Sequence, residues 1–301
     1  MKTALLIISA ASLLLLQACG GGGGDDSNTS ASNGSSGSNT STNTPGGSGG
    51  NTGTGSNSGS NTGTGGSGSS STDQGSVSAP FARGDASDYI LVNPLGQSFG
   101  VLSSSQQDAA GVMTQLSSNQ LSGNYAAQDI AGDTSFAVGR WVKGTVTTST
   151  GTDTLTGTDG RAYHYLAYQV VSALPSNATL HCVGGNYTTP TYTGGGSNAA
   201  LTGSSVTGTT DITFSNGSGV FSGSLTVNAN GETANLAFPS TPLTSPSQTD
   251  FSGQYLSSGA GMGVQLADAD NGAYALAIQG AAVMPSGARY ISVGRMNCTS
   301  N

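Results

Sequence analysis

The run Phe221-Ser222-Gly223-Ser224-Leu225-Thr226-Val227-Asn228-Ala229-Asn230-Gly231-Glu232-Thr233-Ala234-Asn235-Leu236-Ala237-Phe238 carries the reading of the fold. In an extended chain, Phe221, Gly223, Leu225, Val227 and Ala229 share one face, and Ser222, Ser224, Thr226 and Asn228 the other. Beyond Asn230-Gly231, Ala234, Leu236 and Phe238 alternate in the same way with Thr233 and Asn235. A period of two puts one face in a core and the other in water. Asn-Gly supplies the positive φ angles of a tight hairpin turn. The stretch therefore reads as two antiparallel strands joined by a two-residue turn.

Similar signals recur outward from this hairpin. Asn216-Gly217 separates Thr210–Ser215 from Gly219–Ala229, Asn271-Gly272 separates Met262–Ala267 from Ala273–Gly280, and Asp159-Gly160 separates a Thr-rich run, 145–156, from Arg161–Val171. Met262, Val264 and Leu266 alternate with small or polar residues. Tyr274, Leu276 and Ile278 alternate with Ala273, Ala275 and Ala277, which fits a tapered barrel wall or a strand covered on both faces. Arg289–Arg295 reads as the last strand, and Arg140–Val146, with Trp141, as the first of the regular part. Upstream the pattern is weaker. Tyr89–Val92 reads as a strand and Ser105–Leu116 as a short helix.

The predicted fold class is all-β: an antiparallel closed barrel of roughly eight strands, with a two-sheet sandwich as the alternative. Closure would remove the sheet edges that invite aggregation. A transmembrane barrel is disfavoured, because the faces that would meet lipid carry Ser and Thr. Composition agrees with a β fold: Glu232 is the sole glutamate, lysine occurs only at Lys2 and Lys143, and Thr, Val and Tyr favour strands. The formal net charge of -8 argues against nucleic acid or anionic lipid as a partner.

The N-terminus has a different character. Lys2 precedes the apolar runs Ala4-Leu5-Leu6-Ile7-Ile8 and Leu13-Leu14-Leu15-Leu16, too short a core to span a bilayer comfortably. It ends in Leu16-Gln17-Ala18-Cys19, which resembles the lipobox of bacterial lipoproteins. The resemblance implies a signal peptide over 1–18, cleavage before Cys19, and diacylglyceryl and further acyl chains such as palmitate on Cys19. Several chains anchor firmly where one holds only marginally. Gly20, rather than Asp, after the cysteine leans toward the outer membrane. Residues 19–78 then form a Gly/Ser/Asn/Thr-rich linker with almost no charge, expected to be disordered. As a flexible coil its end-to-end distance is ~40 Å. Residues 79–301 make up the single β domain. Cys182 and Cys298 remain in an oxidising compartment and are expected to form a disulfide, two buried thiols being the alternative.

From Gly139 onward the segments Gly139-Arg140-Trp141-Val142-Lys143-Gly144, Tyr163-His164-Tyr165, Ala173-Leu174-Pro175, Gly184-Gly185-Asn186-Tyr187-Thr188-Thr189-Pro190 and Asp211-Ile212-Thr213-Phe214 follow in order. Phe221-Ser222-Gly223 and Phe251-Ser252-Gly253 add a repeated Phe-Ser-Gly element. Together these resemble the lipocalin-like barrel domains of Gram-negative surface lipoproteins of the transferrin-binding type. The resemblance implies a barrel that captures a protein, haem or another small ligand. It transfers no binding residue, and this chain has room for one barrel where transferrin-binding lipoproteins have two lobes.

Motifs for catalysis or metal binding are weak. Gly96-Gln97-Ser98-Phe99-Gly100 matches the serine-hydrolase elbow, but a Pro-Leu turn precedes it and no helix pattern follows. His164 and His181 are the only histidines; in a strand, Tyr163 and Tyr165 point away from His164. Asp268-Ala269-Asp270-Asn271-Gly272 resembles the start of a calcium loop without its later bidentate acid, and a hairpin turn explains it better. The expected protein is thus a cell-surface, lipid-anchored binding module, with no catalytic residues and no cofactor. The alternative is a structural or accessory lipoprotein of an outer-membrane transport or secretion assembly.

Overall fold

A computed structural model describes residues 76–94, 96–196, 199–248 and 261–300. Cys19, the expected signal peptide, the part of the expected linker up to residue 75 and Phe251-Ser252-Gly253 lie outside the described residues. Most of the described chain is strand. Its first part holds β1 (Ser87–Asn93), β2 (Gly96–Val101), β3 (Ser105–Gln107), β4 (Met113–Leu116), β5 (Asn119–Asp133), β6 (Phe136–Thr148), β7 (Gly151–Thr156) and β8 (Tyr163–Val170). Its second part holds β9 (Asn177–Tyr187), β10 (Thr191–Gly194), β11 (Ser205–Ser215), β12 (Ser218–Ala229), β13 (Glu232–Leu243), β14 (Gly261–Ala269), β15 (Ala273–Val283) and β16 (Arg289–Ser300).

These sixteen strands form one antiparallel sheet with the order β13-β12-β11-β9-β16-β15-β14-β8-β6-β5-β4-β3. β1 adds to β8 and carries β2, while β7 adds to β6 and β10 to β16. Among the described residues the path has two ends, and no pairing joins β13 to β3. This corrects the expected architecture. The fold is all-β, but it is an open sheet of sixteen described strands, not a closed barrel of eight, and the lipocalin-like, transferrin-binding-type resemblance does not hold at the level of fold. The physical reason is that closure is a pairing between elements far apart in the chain. The hairpin signals and alternation report only local pairing.

Local readings hold where pairing is local. Asn216-Gly217 joins β11 to β12 and Asn230-Gly231 joins β12 to β13, each with positive φ at both turn residues. Phe221, Leu225, Val227 and Ala229 are buried, as are Ala234 and Leu236. The β14–β15 hairpin turns at Asp270-Asn271-Gly272, with Asn271 at φ 67°. Two readings fail. Ser105–Leu116 contains the small β3–β4 hairpin instead of a helix. Asp159-Gly160 does not join paired strands. β6 makes its hairpin with β7 through Ser149-Thr150, and the chain then passes through 157–162 so that β8 pairs with the other half of β6. One long strand thus shares a single edge between two partners. β16 does the same with β9 and β10.

Three apolar clusters follow from the alternation. One gathers Leu225, Leu236, Leu276, Ile278 and Met296 from the C-terminal strands. Across it Gly280 faces β12 and β13: a Cβ there would lie 3.3 Å from Leu225 and 3.7 Å from Leu236. A second gathers Leu91, Leu116, Trp141, Leu155 and Tyr165 from the N-terminal strands. The third is shared, with Ile90, Val92, Val138 and Leu166 meeting Ala267, Ala275, Ala277, Ile291 and Val293. The alanines of β15 therefore cover one layer while Leu276 and Ile278 fill another. The strand is covered on both faces, which was one of the two readings of its large-small alternation.

Cys182 and Cys298 stand directly opposite each other in the β9–β16 ladder and are bonded. The link closes a loop with a sequence separation of 116. For loops of this order the chain-entropy model gives about 4–5 kcal/mol, and measured losses in small secreted domains run about 2–5. Replacing both residues (Cys182→Ser with Cys298→Ser) is expected to lower the unfolding free energy by about 2–5 kcal/mol in urea titration. A midpoint unchanged from the oxidised parent would contradict this.

Candidate functional site

The two histidines have separate environments. His181 lies on the exposed face of β9, with its Nδ1 2.7 Å from Asp211 on β11. His164, on β8, is fully buried in the shared layer, and its Nδ1 lies 2.6 Å from the Thr188 hydroxyl. Thr188 in turn accepts the Val293 N–H, and its carbonyl accepts from Ser292. Burial, with the Arg140 guanidinium nearby, holds the His164 imidazole well below the ordinary histidine range. This ring is neutral and structural.

Arg140 and Asp129 sit beside it. Asp129 occupies a bulge in β5 with φ 56°, and its carboxylate accepts from Arg140 Nε at 2.9 Å, Thr189 N at 2.8 Å and the Thr189 hydroxyl at 2.9 Å. Tyr168 donates to Gln265, which donates to Asp88 at 3.0 Å. The shared layer is thus crossed by polar bridges tying the N-terminal strands to the C-terminal ones.

Ser98 does not sit on an elbow. It is paired inside β2, opposite Leu91, and its hydroxyl is 2.7 Å from the Tyr89 phenol. His164 is paired opposite Val92. Directly opposed residues share a face, and neighbours in a strand do not. Ser98 and His164 therefore project from opposite faces of the sheet, and no nucleophile–base pair forms. Asp268 and Asp270 are exposed residues of the β14–β15 hairpin, and Asp270 accepts from Thr134. Among the described residues no group of three or more His, Cys, Asp or Glu is placed to hold a metal ion. Among them, too, no helix is long and apolar enough to cross a membrane.

The concavity that stands out is a cleft of about 470 Å³ on the N-terminal strands. Asn93 and Gly96 wall it on one side and the β6–β7 turn, Thr148–Gly151, on the other. Leu91, Ser98, Asn119 and Tyr163 also line it. The amide of Asn119 donates to the Tyr89 phenol at 3.2 Å and to the Leu116 carbonyl at 3.0 Å, which fixes its plane. Asp153 enters from β7 and accepts the Tyr163 hydroxyl at 3.3 Å. Its charge is met by Arg161 Nη1, at 2.9 and 3.1 Å from the two carboxylate oxygens. Burial and then the neighbouring Asp153 push the Tyr163 phenol up to about 12, so it stays a protonated donor. Its ring lies 6.3 Å from that of buried Trp141.

Sequence reasoning weighed Ser98 only as a nucleophile and set it aside, named Tyr163 only as a neighbour of His164, and did not reveal the cleft. The signal for it was present: Asp153, Asp159 and Arg161 fall within nine residues of a chain that is 7% charged. What the sequence lacked was the pairing of β1 with β8, which brings Ser98 to the same cleft as residues some fifty positions later.

The His164 environment sets a pH dependence. The folded chain keeps the ring neutral, while the unfolded chain protonates it near pH 6.5. The unfolded state then binds more protons, so this contribution is complete above about pH 6.5 and is lost as the pH falls, by up to about 1.4 kcal/mol per pH unit. His164→Gln is expected to flatten the dependence of urea stability on pH between about 6.5 and 5. A slope equal to that of the parent would rule out this assignment. No protein-family model matches the chain, and no curated protein matches it in sequence.

Proposed function

We propose that this chain is a lipid-anchored, extracytoplasmic recognition module that binds its ligand non-covalently in the cleft between the Asn93–Gly96 turn and the β6–β7 turn. One observation carries the reading. The cleft is an open depression of about 470 Å³, within the size range of small-ligand sites, with Gln97, Ser98, Thr148 and Asp153 in its lining. The separation of Ser98 from His164 on opposite faces supports recognition over hydrolysis.

The anchor rests on the sequence. Leu16-Gln17-Ala18-Cys19 supplies the acylated cysteine, and the segment beyond it supplies a tether that lifts the β domain from the lipid surface. Gly20 directs the protein to the outer membrane, with the domain at the cell surface. An accessory role in a membrane assembly differs in exposure: proteinase added to intact cells would cut a surface module and spare one enclosed in the periplasm.

Two outcomes are expected. Metabolic labelling with palmitate tags the protein, and Cys19→Ser loses the tag and releases the protein into the soluble fraction; a tagged Cys19→Ser protein would refute the anchor. In thermal unfolding of the full chain against a ligand collection, a true cleft ligand at 100 times its dissociation constant stabilises by about 2.7 kcal/mol. That stabilisation disappears when Ser98 is replaced by a bulky residue such as Leu. Ligand binding indifferent to Ser98→Leu would remove the cleft from the reading.

A further inference from the structure

The chemistry of the cleft narrows its ligand. We infer that it takes a neutral carbohydrate of one or two sugar rings, an assignment that rests on the cleft being a recognition site. The first argument is charge. Asp153 is the charged residue in the lining, and neither Lys nor Arg lines the cleft. An anionic ligand would find no cation in the lining to receive it, on a chain of net charge -8. A cationic ligand would compete with Arg161, which already holds both carboxylate oxygens.

The second argument is hydrogen bonding. An apolar ligand would strip water from Ser98, Thr148 and Asp153 without replacing its bonds, which is costly. A carboxylate has about four acceptor sites. Arg161 and Tyr163 together make three hydrogen bonds to Asp153, which leaves acceptor capacity for about one hydroxyl of a sugar. The Ser98 hydroxyl, bonded to the Tyr89 phenol, keeps capacity for a ligand group, and the Thr148 hydroxyl, which donates within its turn and takes the Thr150 N–H, keeps acceptor capacity.

The third argument is shape. The Tyr163 ring, 6.3 Å from that of Trp141, and Leu91 are nearly fully buried, so they give the cleft only an apolar edge next to these polar groups. A pyranose has the same division, with an apolar C–H face and a polar rim. A peptide recognised by strand addition would need a row of open backbone groups. The cleft instead presents two turns, in which Gly96 N–H is bonded to Asn93 and Thr150 N–H to Thr148.

The experiment is a calorimetric titration of the full chain with glucose, galactose, N-acetylglucosamine and their disaccharides. Glucuronate, a neutral tetrapeptide and haem serve as the contrasting probes. A neutral sugar is expected to bind. Asp153→Asn should weaken it about tenfold or more through loss of a charge-assisted acceptor, and Ser98→Ala by a smaller factor. His181→Ala, on the exposed face of β9, should leave it unchanged. Circular dichroism of each variant checks that the fold is kept. Binding of glucuronate, peptide or haem in the cleft, with no neutral sugar bound, would overturn the sugar assignment and leave the recognition module standing. Sugar binding that survives both cleft variants would overturn the site. Absence of cleft-dependent binding by every probe and by the wider ligand collection would overturn both readings.

Discussion

The inner face shared by the two parts of the sheet is the constraint on which the rest of the fold depends. A single path of pairings cannot by itself bring distant strands together; the contact between layers does that. On the C-terminal side the contact is made by small residues, Ala267, Ala275 and Ala277, and on the N-terminal side by Ile90, Val92, Val138 and Leu166. Small residues let the layers approach closely, and the larger ones fill the space that the small ones leave. Polar bridges fix the register. Asp129 reaches Thr189, His164 reaches Thr188, and Gln265 links Tyr168 with Asp88. The Arg295 guanidinium lies 4.3 Å over the Phe136 ring. Apolar contact alone would allow the layers to slide, whereas these directional bonds favour one alignment.

That alignment positions the cleft. β1 pairs with β8, and β8 with the first half of β6. The second half of β6 is then free to carry β7. The cleft lies between the end of the β1–β2 hairpin and the end of the β6–β7 hairpin, so its width depends on how far each projects beyond β8. Arg161 braces the outer wall from the connecting segment, through Asp153 and Asp159. In a chain with so few charges, the two carboxylates around one guanidinium mark a place where geometry is held by charge as well as by packing.

Particular residues show how much was legible in advance. Asn216-Gly217 and Asn230-Gly231 gave the β11–β12–β13 meander, because a two-residue turn with positive φ leaves neighbouring strands little choice but to pair. Ala273–Ile278 was readable as a strand with two dissimilar faces. Asp159-Gly160 misled for the same reason that the others succeeded: a turn signal states that the chain reverses locally, not which edge the next strand takes. Here β8 skips β7 and returns to β6. Ser105–Leu116 misled because glutamine and alanine suit a helix by propensity, yet Met113 and Leu116 are buried in the N-terminal cluster through a short hairpin. Of the candidate site, Ser98 and Tyr163 were visible as residue types, and Asn119 and Asp153 were not.

The sequence by itself determined the all-β class, the faces that are buried in the regular strands and the tight turns of the C-terminal meander. Alternation and turn chemistry act over a few residues and survive in any packing. Tertiary structure alone decided that the sheet stays open, that long strands share their edges, that Ser98 and His164 part to opposite faces, and that residues between 91 and 163 line one cleft. Each of these depends on pairings between segments tens to hundreds of residues apart. Their free energy comes from layers covering one another, which no short window of sequence encodes.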